Sequence, residues 1–422
     1  VQPVPESSEP QAQVSAPVAG AGFTLAVLTA MNLLNYLDRY VPSAVKGLFK
    51  ADLQLTDTQT SLPLTAFVIV YMLASPVFGG LADRWSRPRL IAMGVALWSL
   101  ATAAGALAVD FWTFLAARAL VGVGEAAYAT IAPSLLSDCY PPDKRNRVLT
   151  VFFVAIPVGS ALGYVIGGLV GAHYGWRAAF LVCGLPGVLA AVAALWIDDP
   201  GRGRFEAVAV GEPAPDWSFA LRALFANRTY VVAVAGYTAV TFAQGGLADW
   251  IPEYLVRVRG MDLQTVSGAL GPITAVAALL GTTLGGWLAD KIRLITRQSY
   301  LAVAALATLP AAVFIALALV VPVGAPVFTA VFFAQFFLWF YNGPINTLIA
   351  NAVDGRMRAR AFSLSILSIH LFGDAISPTI IGKISDLTGN LTNGVLLVPA
   401  FLALGSLIWG LGWRRLPETA AA

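Results

Sequence analysis

Along this chain the hydrophobic positions gather into long runs parted by short polar turns. Each run is close to the ~20 residues that cross roughly 30 Å of hydrocarbon as a helix rising about 1.5 Å per residue. Twelve such runs predict twelve membrane-spanning helices, at 22–45, 61–82, 89–109, 111–137, 147–172, 176–197, 229–255, 264–289, 299–320, 326–353, 360–384 and 393–413. Residues 1–20, rich in Pro, Gln, Ser and Glu, read as a disordered tail with no basic n-region and no cleavage site, so no signal peptide is expected. Residues 198–228 form a polar linker, with a short interfacial helix expected around Trp217–Phe225, and 416–422 form a second tail. The predicted organisation is therefore an all-α membrane protein of two six-helix halves, 21–197 and 229–415.

An internal repeat supports that division. Gly79-Gly80-Leu81-Ala82-Asp83-Arg84 follows the second run and Gly286-Trp287-Leu288-Ala289-Asp290-Lys291 follows the eighth, the same G-x-L-A-D-base pattern in each half. Composition agrees with the class: 58% of residues are hydrophobic, only 12% are charged, and mean hydropathy is +0.75, where a soluble domain carries about 25% charged residues. Placing both termini in the cytoplasm puts eighteen Lys and Arg residues in inner loops and tails and six in outer ones, Lys46, Lys50, Arg177, Arg257, Arg259 and Lys383. That asymmetry follows the positive-inside rule and predicts a multi-pass protein of the plasma (inner) membrane. The net charge of +3 is thereby a topological signal, and no nucleic-acid partner is expected. Two cysteines and two histidines supply neither a disulfide framework nor a metal-ligand set, so no metal is expected.

Six ionisable residues break the apolar runs: Asp38 and Arg39 in the first, Arg118 and Glu125 in the fourth, His370 and Asp374 in the eleventh. A charge near the bilayer centre costs about 2.5–3.5 kcal/mol on insertion scales, so each has to be paired, hydrated or used. Helix geometry places Asp38, Arg39 and Arg118 at similar depth, with Glu125 two turns farther along the fourth helix and about 10 Å nearer the midplane. Where the two helices adjoin, the four form a ladder of alternating charge. Two readings stand: a structural salt-bridge set, or a proton switch in which Asp38 and Glu125 titrate beside Arg39 and Arg118. In the second, the two arginines suit an anionic headgroup, with Asn35 and Tyr36 beside them, because guanidinium pairs bidentately with phosphate or carboxylate and stays charged.

His370 and Asp374 stand at i and i+4, either as a mutually satisfied pair packed on the tenth helix or as a coupling element. Asn342 and Asn346, flanking Gly343 and Pro344, break or polarise the tenth helix, or act as polar glue between helices. Between Gln244 and Glu253 the seventh helix carries Gly245, Gly246, Asp249 and Pro252 toward its outer end, which fits either a gating bend or a passage into a loop. Gly79 and Gly80 are expected to allow close helix approach, with Asp83 facing a helix N-terminus or Arg84.

The motifs carry a resemblance. Gly79–Arg89 (GGLADRWSRPR), Arg118–Gly124 (RALVGVG) and Gly159–Gly168 (GSALGYVIGG) resemble the loop, fourth-helix and fifth-helix signatures of the major facilitator superfamily, with Ser86, Pro88 and Tyr164 departing from its usual glycine, base and proline. Within it, Asn35–Tyr40 (NYLDRY), Arg118–Asp138 (RALVGVGEAAYATIAPSLLSD), Ala155–Tyr164 (AIPVGSALGY) and His370–Pro378 (HLFGDAISP) are similar to Spinster-family transporters. The resemblance implies a monomeric carrier that exposes a midplane site to each side in turn, and a sphingolipid- or lysophospholipid-like substrate. It also implies a cytoplasmic latch at Gly79, Gly80, Asp83 and Arg84, with Asp290 as the weaker counterpart. The expected function is proton-coupled transport of an amphipathic anion, with membrane lipids, the substrate and protons as partners and no cofactor beyond a proton gradient. The alternative is a small organic-anion:proton symporter, since an N-Y-x-D-R string occurs there too. An enzyme would need a nucleophile or metal constellation, and a sensor an added soluble domain; neither is legible.

Overall fold

The computed structural model describes residues 16–205, 216–292, 296, 298–353 and 357–415. Most of the two predicted tails and the middle of the linker therefore lie outside the described residues. Among those described, all regular structure is helical. Before the linker come α1 (Ala21–Ala44), α2 (Lys46–Asp52), α3 (Asp57–Ala82), α4 (Arg87–Gly105), α5 (Phe111–Cys139), α6 (Pro142–Gly184) and α7 (Pro186–Ala194). The expected interfacial helix is α8 (Trp217–Ala226), with Ala220 and Leu224 buried and Trp217, Phe219 and Phe225 exposed. After it come α9 (Arg228–Arg257), α10 (Leu263–Ile292), α11 (Ser299–Ala318), α12 (Ala325–Leu338), α13 (Asn342–Asn351), α14 (Arg358–Ile369), α15 (Ser377–Thr388), α16 (Leu391–Val395) and α17 (Leu397–Arg415).

Ten helical stretches among the described residues are long and apolar enough to cross a membrane. The difference from the twelve predicted runs has two sources. α1, with 24 residues, is outside the ten, and Pro142–Ala194 counts once although its 53 residues suffice for two crossings. Within that stretch Gly175 adopts φ 82, ψ 165, a left-handed backbone that glycine takes without Cβ strain. It breaks the stretch between the two runs predicted there, 147–172 and 176–197.

Two other helices break near the centre of the bundle. The chain passes from α12 through a 3-10 turn at Trp339–Tyr341 into α13, just before Asn342. Between α14 and α15, residues His370–Asp374 form a π-type turn in which Ala375 N–H bonds the His370 carbonyl, with Gly373 at φ -109, ψ -108. By contrast α9 runs unbroken through Gln244–Glu253 to Arg257 despite Pro252, so this segment is helix and not a passage into a loop.

Small residues set the helix spacing. A Cβ on Gly159 would stand 2.4 Å from the Leu33 carbonyl oxygen and one on Gly163 2.5 Å from that of Leu37, so the fifth-helix glycine pattern is what seats α6 against α1. Gly163→Ala is expected to cost about 1–3 kcal/mol, because the Leu37 carbonyl oxygen and the Tyr40 Cβ, 2.5 and 2.8 Å away, are fixed to the helix backbone and cannot rotate aside. Thermal loss of monodisperse protein measures it; an unchanged midpoint means that α1 and α6 slide apart freely. Gly79 and Gly80 behave differently from expectation. The nearest atom to a Cβ on Gly79 is Thr130 Cγ2 at 3.7 Å, ordinary contact, and Gly80 has nothing within 4 Å.

The helices before and after the linker meet through α3 with α15, α6 with α10, and α1 with α9. Contacts that fix them gather at the end where α1 finishes and α3 begins. Arg257 grips Asp57 with two bonds of 2.7 and 2.8 Å, and Lys50 and Ser385 reach the same carboxylate at 2.5 Å each. Asp386 accepts from the backbone N–H groups of Asp57 and Thr58, both at 2.9 Å, capping the N-terminus of α3 from the other half of the chain. A Cβ on Gly382 would meet the Asp57 carbonyl at 2.5 Å. This is the sealed end of the bundle.

Candidate functional site

Below the sealed end a cavity of about 260 Å³ opens between the helices, its wall drawn from both sides of the linker. α1 supplies Tyr36, Arg39, Tyr40 and Ser43; α3 supplies Leu64, Phe67 and Val68; α6 supplies Tyr164. Across from them stand Gln244, Ala248 and Pro252 of α9, Gln335 and Leu338 of α12, Trp339, and the His370–Asp374 turn. Mostly apolar walls with a few convergent polar groups are the usual make-up of a ligand site.

Arg39 is the charged centre of this wall. Its Nε donates to Glu125 Oε2 at 2.7 Å, and the pair is lopsided in access, the Arg39 side chain being 22% exposed and that of Glu125 0%. Tyr36, Phe67 and Tyr71 rings lie 4.9, 5.2 and 5.2 Å from the Arg39 guanidinium carbon, an aromatic collar that holds a cation without neutralising it. Asn35 is buried beside Glu125, with its Nδ2 outside hydrogen-bond geometry.

The other rungs of the predicted ladder turn away from the cavity. Asp38, one residue before Arg39, points about 100° around α1 to the buried Thr102 hydroxyl of α4, 3.4 Å away. Arg118 is 1% exposed, lies 5.6 Å from the Phe67 ring centroid, and leaves Nη1 and Nη2 without hydrogen-bond partners. Arg118 and Asp38 thus stand behind the wall that Arg39 faces. Glu125 joins the two layers, since Arg39 reaches it directly across the two turns that were expected to separate them in depth.

In the second half, His370 Nδ1 lies 2.9 and 3.0 Å from the Asp374 carboxylate oxygens, and both residues line the cavity. They pair as expected, but the turn that carries them packs on α9, where a Cβ on Gly373 would meet Thr241 and Phe242 within 3.2 Å. The tenth helix had been the expected support. Asn346 bonds the Asn342 carbonyl at 2.7 Å and its side-chain oxygen at 3.2 Å within the helix, and its side chain also meets the Tyr237 hydroxyl of α9.

The repeated loop motif also differs from expectation. Asp83 pairs with Arg202 of the linker, facing neither a helix N-terminus nor Arg84. Arg84 and Asp290 are exposed. Arg87, counted as a loop charge, is 2% exposed and bonds Asp138 and Asp199 at 2.5 Å each. Sequence reasoning missed a second intramembrane pair as well: Lys46, counted as an outer loop charge, is buried against Asp249 of α9. Asp249 lies inside the seventh apolar run, where the sequence reading placed it with the glycines and Pro252 of a bend or loop entry and not in a charge pair.

Residues 28–378 match the Major Facilitator Superfamily profile. The chain is 35% identical over 396 residues to Protein spinster of Drosophila melanogaster, covering 91% of this chain and 65% of that protein. It is 37% identical to Protein spinster homolog 1 of Bos taurus, over 86% of this chain and 72% of the relative. With the sphingosine-1-phosphate transporter SPNS2 of Danio rerio it shares 33% identity over 88% of this chain and 76% of that one. Among solved structures, a bacterial homolog of the human lysosomal transporter Spinster, crystallised inward-facing and occupied, superposes with a TM-score of 0.82 at 24% identity, over 96% of this chain and 100% of that one. That likeness speaks for the fold. From the matched profile and these identities, this chain belongs to the Spinster family of the major facilitator superfamily and is a multi-pass membrane transporter, not an enzyme.

Proposed function

We propose that this protein is a twelve-helix, proton-coupled carrier of an amphipathic anion, with both termini cytoplasmic and its two six-helix halves exposing the cavity to each side of the plasma membrane in turn. The preferred substrate class is a single-chain lipid with an anionic headgroup, such as a lysophospholipid or a phosphorylated sphingoid base, the latter supported by the similarity to the sphingosine-1-phosphate transporter of Danio rerio. On this topology the sealed end is the outer one and the conformation is inward-facing. The eighteen-to-six distribution of basic residues supports that orientation.

One observation carries the reading: the arginine that faces the cavity is held from behind by a fully buried carboxylate. An anionic headgroup arriving at Arg39 competes with Glu125 for the same guanidinium. A buried carboxylate that loses its cation is costly as an anion, so it takes up a proton as the headgroup binds. Substrate and proton then load together. Asp38 beside Arg118 is the second proton site of this scheme, and His370–Asp374 tunes the opposite wall. Arg118, behind Phe67 in this conformation, meets the headgroup only when α5 and α3 shift. The Asp83 motif serves as a cytoplasmic latch in the outward-open state, for which Asp83 exchanges Arg202 for a partner in the other half.

Glu125→Gln tests this directly. Freed of its competitor, Arg39 is expected to bind lysophosphatidate at least tenfold more tightly, about 1.4 kcal/mol, keeping only the pH dependence of the lipid's own phosphate, while proton-driven uptake into proteoliposomes stops. Calorimetric titration across pH checks the first two outcomes. An unchanged pH profile assigns the coupling proton elsewhere.

The enclosed volume favours one alternative. The cavity, about 260 Å³, is at the small end of the roughly 300–1,000 Å³ of pockets that take drug-sized ligands, and suits a headgroup or a small acid. A lysolipid therefore keeps its tail in the open part of the cleft. Saturable uptake of sugar acids, with no competition by lysolipids, replaces the lipid carrier by an organic-anion:proton symporter.

A further inference from the structure

Lys46 and Asp249 form a buried ion pair that the charge ladder does not use. The Lys46 ammonium bonds the Asp249 carboxylate and donates to Ser61 Oγ at 2.9 Å. Ser61 and Ser43 hydroxyls donate to the same carboxylate at 3.0 and 3.3 Å. Trp250 stacks its ring 3.8 Å from Lys46 Nζ. Side-chain exposure is 1% for Lys46 and 4% for Asp249.

How these groups divide between helices is informative. Ser43 is on α1, Lys46 opens α2 and Ser61 is on α3, all before the linker; Asp249 and Trp250 are on α9, after it. When the two sides part at this end, Asp249 leaves with α9 and the ammonium with its two hydroxyls stays behind as an intact cradle. That donor set holds any carboxylate or phosphate oxygen as well as it holds Asp249.

The cradle also lies on a route from the cavity. A pocket of about 10 Å³ is bounded by Arg39, Arg118, Lys46 and Asp249, room for roughly one water. Arg39 and Ser43 line both this pocket and the main cavity. The buried Arg118, whose two Nη groups make no hydrogen bond, stands on the same pocket wall. Arg39, Arg118 and Lys46 thus border one small pocket beside the cavity.

We propose that Lys46, Ser43 and Ser61 form a second anion site on the outer side of Arg39, which Asp249 fills as an intramolecular stand-in while that end is sealed and which a substrate's phosphate or carboxylate takes over when α1 and α9 part. The inference rests on the alternating-access reading above. Asp249 and the headgroup then occupy the cradle in turn, so the anion is never released from one cation before the next is available.

The experiment compares Asp249→Asn, Lys46→Met and the double variant Lys46→Met/Asp249→Asn with the unsubstituted protein in nanodiscs. The double variant replaces the buried pair by groups of similar volume, a change often neutral for folding, and serves as the folded reference. Affinity is measured for lysophosphatidate, for monoacylglycerol of the same chain, and for inorganic phosphate. Outer-end separation is read between spin labels at Leu107→Cys and Val320→Cys, 76% and 75% exposed in the native chain, with Cys139 and Cys183 changed to Ala.

Both single variants are expected to lengthen the label distance and the double variant to restore it. Only Asp249→Asn, which keeps Lys46 and loses the stand-in, is expected to bind lysophosphatidate and phosphate at least tenfold more tightly, with monoacylglycerol unaffected throughout. An equal gain in Lys46→Met or in the double variant overturns the proposal and leaves the pair a gate. Unchanged affinity in Asp249→Asn overturns it too. Failure of the lipid reading looks different: the unsubstituted protein then neither binds nor carries lysophosphatidate, yet Asp249→Asn still captures phosphate in a Lys46-dependent way.

Discussion

Arg39→Ala is expected to weaken binding of an anionic single-chain lipid at least a hundredfold, about 2.7 kcal/mol, while leaving its neutral same-tail analogue unaffected. Arg39 is the ladder cation on the cavity wall, presented by the aromatic collar of Tyr36, Phe67 and Tyr71. A hydrogen bond to a charged group is worth about 1.5–3 kcal/mol, and guanidinium offers two to one headgroup. Arg39→Lys should recover part of the loss, because the charge returns without the planar fork. Titration of the paired lipids into purified variants decides it. Equal affinity of Arg39→Ala and unsubstituted protein for the anionic lipid removes Arg39 from the site and returns the ladder to the status of scaffold.

Arg87→Ala is expected to destabilise the protein by about 3–5 kcal/mol, the usual consequence of removing one partner from a buried ionic cluster. Arg87 is 2% exposed and ties three parts of the chain together. It bonds Asp138 at the end of α5, the Asp199 carboxylate and the Gly201 carbonyl of the linker, while Gly203 N–H returns to Asp138 at 3.1 Å. Its loss strands a buried carboxylate and frees the linker from the base of the first half. Thermal unfolding followed by fluorescence-detected size exclusion reads the effect, and Arg87→Lys should not restore it, since a point ammonium lacks the planar fork whose Nε, Nη1 and Nη2 reach these groups from different edges.

The same cluster sets an acid dependence. Burial pushes the Asp199 carboxyl up, but Arg87's hydrogen bonds and charge outweigh it and hold the group below its ordinary range. A carboxyl whose folded value is depressed contributes stability above its unfolded value of roughly 4 and loses it as pH falls through the folded one. Acid unfolding should therefore begin at higher pH in Arg87→Ala than in the unsubstituted protein.

These contacts also recast the repeated loop motif. In this conformation the Asp83 region is engaged by the linker through Arg202, and the glycines ahead of it are not pressed by neighbours. Contacts between the halves concentrate instead at the sealed end, where Asp57, Arg257, Asp386 and the Lys46–Asp249 pair act. The proposed latch at Asp83 would form in another conformation than this one.

The sequence by itself determined what local physics controls. Runs of apolar residues near the bilayer length specified the helices, because each must satisfy its own backbone. The gap between the runs 147–172 and 176–197 placed the break in α6, and only the fold showed that Gly175 makes it and that Gly159 and Gly163 meet the backbone of α1. It also identified Asp38, Arg39, Arg118 and Glu125, because charge in an apolar run is expensive wherever the run folds. Tertiary structure decided the pairings. Arg39 chose Glu125, 86 residues away, while Asp38, its neighbour in the chain, turned to α4. Lys46 found Asp249 across 203 residues and Arg87 found Asp199 across 112. Such choices depend on helix rotation and on which helices adjoin, quantities to which a residue's own period of 3.6 is blind. The π-type turn at His370–Asp374 belongs with them: its segment reads as continuous helix, and only the seat of Gly373 against α9 shows where it opens.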